Sequence, residues 1–548
     1  MNIIENDTRQ IFTLTKEQQT VYDTLINFLA NENQQEMMLL GFAGSGKTFL
    51  VSRYINDIIK NKLCRRIVVS TPTHKSLNVM KSKLFETSLT LTISNNIDIM
   101  TIHRLLNYQR QIDSNGDVYF GKNGADSNWN VYDLIIIDEC SMLSNQIIND
   151  IDNELKKVKN KKLKILYIAD PCQINPVNQE SSEIFSKKMK TLTLEKIVRT
   201  NSQKIMKLSN AHRRWITSNK DSDMPCLSDY ADDRIILHSI DSVNKWLDKF
   251  VSLLKKLDVN TNVNTDTNDT NNLENNVILT WTNKKCNKYN DYVRQKMFNK
   301  KILKKYELGE ILIFNDFHRT LINVPTDTLN NETDTKLELK IVSFYTSEQI
   351  KLIGIREDKF QFEKIKNLKS TDLPELIANN FVKVISAINK TLTSTPLNVY
   401  YMEVQKLSEL KNNEQKVIYN ILSIHHDSEI NYNKLKNYFE DQIVKLKNSC
   451  YKMINELKKT NDMIKLEFLN IVEKKINRIW KDWQANVMDR FAQLNYGYAI
   501  TVHKSQGSTF KNVFIDIMDI FENHNQSERL KCLYTAITRS SNSLELLI

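Results

Sequence analysis

Eight residues, Gly41 to Thr48 (GFAGSGKT), fit the pattern G-x-x-x-x-G-K-[ST], a loop whose backbone N–H groups wrap a triphosphate. Gly44 and Gly46 let the chain turn so that successive N–H groups, that of Ser45 included, face one anion together with a helix N-terminus. Lys47 brings a flexible point charge to the β- and γ-phosphates, and Thr48 offers a hydroxyl to Mg²⁺. Three of the ten glycines of the chain fall within these eight residues, which argues against a turn that binds nothing. About 90 residues further on, Asp138 and Glu139 end an apolar run, LIII. Two carboxylates at a strand's carboxyl end suit a division of work: Asp138 holds Mg²⁺ through its water shell, and Glu139 orients and deprotonates the attacking water. A phosphoryl-transfer site also needs positive charge on the γ-phosphate oxygens, for which Arg199 (EKIVRT) and Arg539 (TAITRS) are candidates. Gln18, three residues after Thr15, has two readings: it closes a capping box, or its carboxamide reads adenine.

These groups need elements to hold them. Met37–Leu40 is a short apolar run suited to a buried strand, and residues 49–59 carry apolar side chains at helical spacing. A first helix is expected from Leu14 to Leu29, capped by Thr15. RIVVST, DLIIID and KILYIA are near-continuous apolar runs separated by helical stretches, the pattern of a parallel sheet covered on both faces. Between Leu105 and Asn130 the dipeptide Asn115-Gly116 signals a hairpin, with Tyr119 or Phe120 as its apolar tip. Residues 258–276, rich in Asn, Thr and Asp, read as a solvated loop, and VILTW followed by a helical stretch opens a second parallel domain. Short β-branched and aromatic runs between Leu308 and Leu407 suggest a small antiparallel barrel, and residues 431–493 are charged and helical. The strand–helix pattern then resumes to the end, so the second domain carries an insertion. No internal repeat is apparent.

At 548 residues the chain is too long for one core. No apolar stretch is long enough to span a membrane, and the polar N-terminus does not read as a signal peptide. Seven widely spaced cysteines without a C-x-x-C pair suggest reduced thiols in an intracellular compartment, cytoplasm or nucleus, and no zinc module. A net charge of +11 raises the prior for a polyanionic partner without deciding it. His425-His426-Asp427 lacks further ligands at metal spacing and reads as a turn at a strand end.

Taken in order, LTKEQ (14–18), GFAGSGKT (41–48), TPTHKSL (71–77), TIHRLL (101–106), IIIDECSML (136–143), ADPCQINPV (169–177), LEKIVRT (194–200), ITVHKSQGSTF (500–510) and LYTAITRS (533–540) resemble the ordered motifs of superfamily 1 helicases, most closely the RecD/Dda-like branch. The resemblance implies two RecA-like parallel-sheet motor domains: residues 1–200, with the 105–130 hairpin inserted, and residues 201–307 joined to 494–548, with an SH3-like barrel and helical extension (308–493) inserted. By position it implies that Gln18 reads adenine, Gln173 senses the γ-phosphate, and Arg199 and Arg539 are arginine fingers. Thr71, Pro72, His74, Lys75, Thr101, His103, Thr282, Asn283, Thr501, His503, Lys504 and Ser505 would track a single strand, with Gln506 and Gly507 linking strand to nucleotide cleft. Hydroxyls, imidazoles and lysines suit sugar–phosphate contact and carry no base-edge code. Trp281, ending an apolar strand, reads as core before it reads as a base-stacking group. Two residues depart from the family pattern: Ala169 stands where glycine is usual, and Asn175 where proline is usual. The expectation is a monomeric, ATP- and Mg²⁺-dependent DNA helicase moving 5′ to 3′ on single-stranded DNA and opening forked duplexes. An RNA helicase and a strand-stimulated ATPase that does not unwind are the alternatives.

Overall fold

The computed structural model describes residues 13–87, 96–122, 127–160, 162–176, 179, 182–196, 202–218, 220–255, 275–325, 337–365, 372–407, 417–457 and 461–548. Arg199 and most of the 258–276 stretch lie outside them.

The chain opens with α1 (Lys16–Ala30), capped by Thr15 through a complete capping box with Gln18. Strands β1 (Glu36–Gly41), β2 (Ile67–Thr71) and β3 (Ile97–Thr101) follow, with α2 (Lys47–Lys60) and α3 (His74–Thr87) between them. After α4 (Ile102–Leu105) the chain leaves the sheet as an antiparallel hairpin, β4 (Tyr108–Ile112) and β5 (Val118–Lys122). It returns through β6 (Leu134–Ile137), α5 (Asn145–Lys157), β7 (Lys164–Ala169) and β8 (Lys190–Leu194). All pairs in the resulting six-stranded sheet, β3-β2-β6-β7-β1-β8, are parallel. Its strands are apolar on both faces because helices cover both: Leu134 and Ile136 face one cluster with Leu50 and Ile55, while Ile135 and Ile137 face another with Ile148 and Ile151.

Helix α6 (Gln203–Ser218), β9 (Ile235–His238), α7 (Val243–Lys255), β10 (Asn276–Thr280) and α8 (Asn283–Phe298) begin the second unit. The chain then enters the insertion: β11 (Ile311–Phe314), β12 (His318–Pro325), β13 (Leu337–Phe344), β14 (Gln349–Phe360), α9 (Glu375–Ser394), β15 (Leu397–Lys406), β16 (Tyr419–Ile424), α10 (Glu429–Asn455), α11 (Asp462–Trp483) and β17 (Leu494–Tyr496). Five strands form an antiparallel sheet in the order β16-β15-β14-β11-β17. The Ala492 N–H, just before β17, donates to Leu422 O on β16 at 2.7 Å, so the two edges of this sheet meet and it curls into a small barrel. Helix α9 falls where the sequence reading had strands only. Its Ile377, Phe381, Ile385, Ile388 and Leu392 form a helical stripe that packs in one core with α10 and α11, so the helical extension begins before residue 431.

The second unit closes with β18 (Ala499–Thr501), α12 (Val502–Ser505), β19 (Phe510–Asp516), α13 (Ile517–Phe521), α14 (Gln526–Ile537) and β20 (Ser540–Leu547). Its five-stranded sheet, β18-β10-β19-β20-β9, is again parallel throughout. The fold is α/β, with two parallel-sheet units of RecA-like form, a hairpin inserted in the first and a barrel with helices inserted in the second. Among the described residues no helix is long and apolar enough to cross a membrane. All seven cysteines are free thiols, and Cys226 alone of them is exposed.

Candidate nucleotide site and strand groove

The loop after β1 turns twice through left-handed backbone, at Gly44 (φ 82°) and Gly46 (φ 83°), conformations a side chain disfavours. Gly41 is small for a second reason: a Cβ there would lie 2.7 Å from Lys47 Cγ. Gly46 caps α2 with no side-chain bond, so the first N–H groups of that helix are left to an anion. The Lys47 ammonium donates to the carbonyls of Gly41 and, at 3.2 Å, Phe42. At the end of β6, Glu139 has φ 56°, left-handed backbone on a non-glycine residue, which turns its side chain into the cleft. Asp138 Oδ1 accepts the Glu139 N–H at 2.8 Å and holds that turn.

Asp138, Glu139, Gly44, Gly46, Lys47 and Thr48 line a cleft of about 490 Å³. Its far wall comes from the second sheet, as Gly507, Ser508, Thr509 and Arg539. Arg539 is buried, and its guanidinium is fixed by Thr535 O (3.1 Å), Ser508 O (3.1 Å) and Thr538 Oγ1 (3.4 Å). Gln173 also lines the cleft, with Nε2 donating to Asp170 at 3.3 Å. Ser45 Oγ and Gln173 Oε1 are buried with no partner among the described residues, a deficit that a polar ligand in the cleft would make good. A hydroxyl (Thr48) and a carboxylate (Asp138) on one wall are hard oxygen donors, the set that suits Mg²⁺.

Gln18 closes the capping box of α1 and also stands at the cleft. It lines the cleft, yet its Oε1 accepts Thr15 N–H (3.1 Å) and its Nε2 donates to Ser45 O (3.1 Å), so it braces the phosphate loop from the helix cap. Gln506 is not a wall of the cleft: its amide crosses to Ile174 O at 3.4 Å. Ser76, Val79, Met80 and Lys83 on α3 do line it and were not anticipated. Their i, i+3, i+4, i+7 spacing was the available signal, since one helical face must meet one surface.

The strand-contact candidates show a repeat that the sequence reading missed. In the first sheet Thr71 on β2 sits in register with Thr101 on β3; in the second, Thr280 on β10 sits in register with Thr501 on β18. Each inner strand continues as Thr-x-Thr into a helix whose cap hydroxyl accepts an N–H three residues on, Thr73 from Ser76 and Thr282 from Lys285, both at 3.2 Å. Each edge strand continues as Thr-x-His, with His103 and His503 equivalent. Identity is too low for the repeat to stand out in one dimension; paired register exposes it. Thr71 and Ser505 are not presented to a strand: both are fully buried, with their hydroxyls spent on Thr73 O (2.8 Å) and Val502 O (2.7 Å). Thr282 is held by Asp519, which also accepts the N–H groups of Trp281 and Thr282. Trp281 itself packs on the second-sheet core, while Asn283 is exposed and Pro72 half-buried.

The two units and the barrel meet beside these residues. Lys75 Nζ donates to Lys504 O at 3.4 Å, and Lys504 Nζ to Asn315 Oδ1 of the barrel at 3.0 Å. His74 stacks on Tyr345 of the barrel, ring centroids 3.4 Å apart. Burial, then Lys81 and His103, push the His74 imidazole down to about 4, so it is neutral near pH 7. Burial likewise lowers His103 and His503. Tyr345 and Asn315 carried no sequence signal, being loop residues recruited by a distant contact.

Two family models match the chain: an AAA domain over residues 28–179 and a UvrD-like helicase C-terminal domain over residues 496–547. RecBCD enzyme subunit RecD of Buchnera aphidicola is 31% identical over 26% of this chain and 24% of its own. ATP-dependent DNA helicase Pif1 of Campylobacter jejuni is 24% identical over 46% of this chain and 47% of its own. These two matched segments and two relatives support a superfamily 1 helicase of the RecD/Pif1-like kind. Uncharacterized protein R530 of Acanthamoeba polyphaga mimivirus is 27% identical over 97% of this chain and 99% of its own. A solved Pif1 chain from Bacteroides with ADP-AlF3 and ssDNA aligns over 98% of this chain and 92% of its own, at 14% identity and a TM-score of 0.42. The chain thus spans about a quarter of the matched RecD and under half of the matched Pif1.

The inserted hairpin does not end in an aromatic tip. The tip is the polar turn Ser114-Asn115-Gly116, while Tyr119 and Phe120 lie exposed along β5, Phe120 beside His103. The tip is docked on the helical extension rather than on the barrel. Lys447 donates to Ser114 Oγ (2.6 Å) and Asn115 Oδ1 (3.1 Å), and Arg110 Nη1 reaches both oxygens of Asp489 at 2.8 Å. Ile112 is buried in the extension's core, and Gly116 lies against the Trp480 indole. His425 Nδ1 accepts the Asp427 N–H and caps the turn after β16, and His426 Nδ1 meets Tyr400 OH at 3.1 Å.

Proposed function

We propose that this chain is an ATP-driven DNA helicase that translocates 5′ to 3′ on a single strand and opens forked duplexes. The observation that carries the reading is that Lys47 and Arg539, from different sheets, line one cleft, while the segments that follow the matched threonine pairs of the two sheets meet through Lys75 and Lys504. Lys47 and the N-terminus of α2 bind the phosphates, with Ser45, whose N–H closes a turn on Phe42 O at 3.0 Å, offering from the same loop a hydroxyl unpartnered among the described residues. Glu139, aimed by its left-handed backbone, orients the attacking water and takes its proton. Arg539 supplies charge to the γ-phosphate from across the cleft, and Arg199 is assigned the matching role from the first domain. Gln173 reports the γ-phosphate. Thr48 and Asp138 would hold Mg²⁺, which when bound neutralises charge between the β- and γ-phosphates.

Closing the cleft brings the second sheet toward the first, so the Thr501–His503–Lys504 group shifts relative to the Thr101–His103 and His74–Lys75 group. Thr282 and Asn283 complete the second grip. Each grip is a helix N-terminus beside hydroxyls, which suits a backbone and ignores sequence. The hairpin, fixed at its tip by the extension, is the wedge. The domain limits 1–200, 201–307 with 494–548, and 308–493 are the working division, and the unit is a monomer. Polarity follows the RecD-like branch.

The test is strand displacement on duplexes carrying either a 5′ or a 3′ single-stranded tail. Displacement confined to the 5′ tail, abolished in Lys47→Ala and Glu139→Gln, is expected. Displacement from the 3′ tail alone overturns the polarity. ATPase stimulated by poly(U) but not poly(dT) replaces DNA with RNA as substrate, since the 2′-OH is the difference read.

A further inference from the structure

One buried contact across the cleft uses a residue that none of the assigned roles includes. Tyr534 projects from α14 of the second domain into the first, where it packs with Ala43 and Cys172. Its hydroxyl accepts the Ala43 N–H of the phosphate loop at 3.2 Å and donates to Asp170 Oδ2 at 3.2 Å. Asp170 is fully buried and follows β7. Its other donors are the Cys172 N–H (3.0 Å) and Gln173 Nε2 (3.3 Å), so the carboxylate oxygen that holds Gln173 also holds Tyr534. Burial, then the Asp170 carboxylate, raise the phenol well above its ordinary value and keep it a donor. One helical turn earlier, Lys531 Nζ donates at 2.7 Å to Asn175 Oδ1, the residue that replaces the family's proline. On the other side Arg213 of α6 lies 3.7 Å from the Phe42 ring centroid. Helices of the second domain therefore clamp both the phosphate loop and the loop that carries Gln173.

We propose that Tyr534 is a positioning residue for nucleotide hydrolysis, its hydroxyl tying the docking of the second domain to the orientation of Gln173 through Asp170. This rests on the helicase reading above. With the second domain docked, Asp170 has three donors and Gln173 is held at the cleft wall. As that domain moves off, the hydroxyl leaves Asp170 and Ala43 together, and the carboxylate re-partners with whatever donors remain, Gln173 first among them. The phosphate loop and the γ-phosphate sensor thus change state in one motion. The ring packs on Ala43 and Cys172 with or without its hydroxyl, but only the oxygen hydrogen-bonds both loops and reaches the carboxylate that holds Gln173.

The experiment measures poly(dT)-stimulated ATPase of the full chain for wild type, Tyr534→Phe, Gln173→Ala and the double variant. Phenylalanine keeps the ring in its pocket, and a melt of each variant checks folding. Expected is a fall in kcat of about tenfold for Tyr534→Phe, the loss that one hydrogen bond to a charged acceptor accounts for, with KM for ATP within about twofold. In the Gln173→Ala background the same change should add less than about twofold, because its route of action is gone. An unchanged kcat for Tyr534→Phe, or an equal fold-loss in both backgrounds, overturns the proposal. A wild-type chain with no strand-stimulated turnover overturns the helicase reading instead.

Discussion

Replacing Gly116 by alanine tests whether the hairpin acts as a braced wedge. Gly116 sits at φ +92°, where an L-residue pays about 1–2 kcal/mol in backbone strain. The new methyl carbon would also lie 2.5 Å from two carbons of the Trp480 indole, well inside the ~3.5 Å contact distance. The indole cannot give way easily, since it is 5% exposed and packed edge-on against Phe439 with centroids 4.9 Å apart. Overpacking of this kind costs about 1–3 kcal/mol, so the total penalty is roughly 2–5 kcal/mol. Against it stand the Arg110–Asp489 pair, about a third exposed and worth at most about 1 kcal/mol, the Lys447 bonds at about 1, and burial of Ile112 at about 1.5–3. Penalty and brace are of equal size, so undocking becomes competitive. The change touches neither the nucleotide cleft nor the groove. Strand displacement on a forked duplex is expected to fall by about tenfold or more, while poly(dT)-stimulated ATPase stays within about twofold. Arg110→Met with Lys447→Met should act in the same direction. Wild-type unwinding in both variants, or a parallel loss of ATPase and unwinding, refutes the wedge.

Arg539→Ala should leave ATP binding near wild type and slow turnover by about 10³-fold or more, as removal of an arginine finger does; fluorescent-nucleotide titration beside steady-state ATPase separates the two, and an unchanged rate removes the assignment. Neutralising Lys75 and Lys504 together should flatten the salt dependence of single-strand binding by about 0.7 per lost phosphate contact, and an unaltered log–log slope places the strand elsewhere. Acid should destabilise the fold through His212 and His318, both buried and held down to about 4 by that burial. Their folded values lie below the ordinary 6.5, so the unfolded chain binds more protons between about pH 6.5 and 4. Stability should therefore fall across that window by about 1.4 kcal/mol per pH unit per group. A melting temperature flat from pH 7 to 4.5 would contradict the burial that sets these values.

The local chemistry was legible in one dimension because it is carried by short runs. GFAGSGKT needs only its own glycines and the next helix, and LIIIDE needs only a strand's end, so the Lys47–Thr48 and Asp138–Glu139 walls could be written down from residue types. The capping box at Thr15 and Gln18 and the parallel, doubly covered sheets are of the same kind. The stripe of α9 was equally local but was read over by a β-rich neighbourhood. Other features depend on contacts between residues far apart, which no spacing rule reaches. The docking of the hairpin tip on Trp480, the stacking of His74 on Tyr345, and the burial of Thr71 and Ser505 away from the groove belong here. So does the pairing of Thr71 with Thr101 and Thr280 with Thr501, which exists only once strands lie side by side in register. Sequence determines which groups are made and in what local geometry; packing of distant segments decides which of them face a ligand, because burial and hydrogen-bond satisfaction are settled by whichever chain segment arrives next to them.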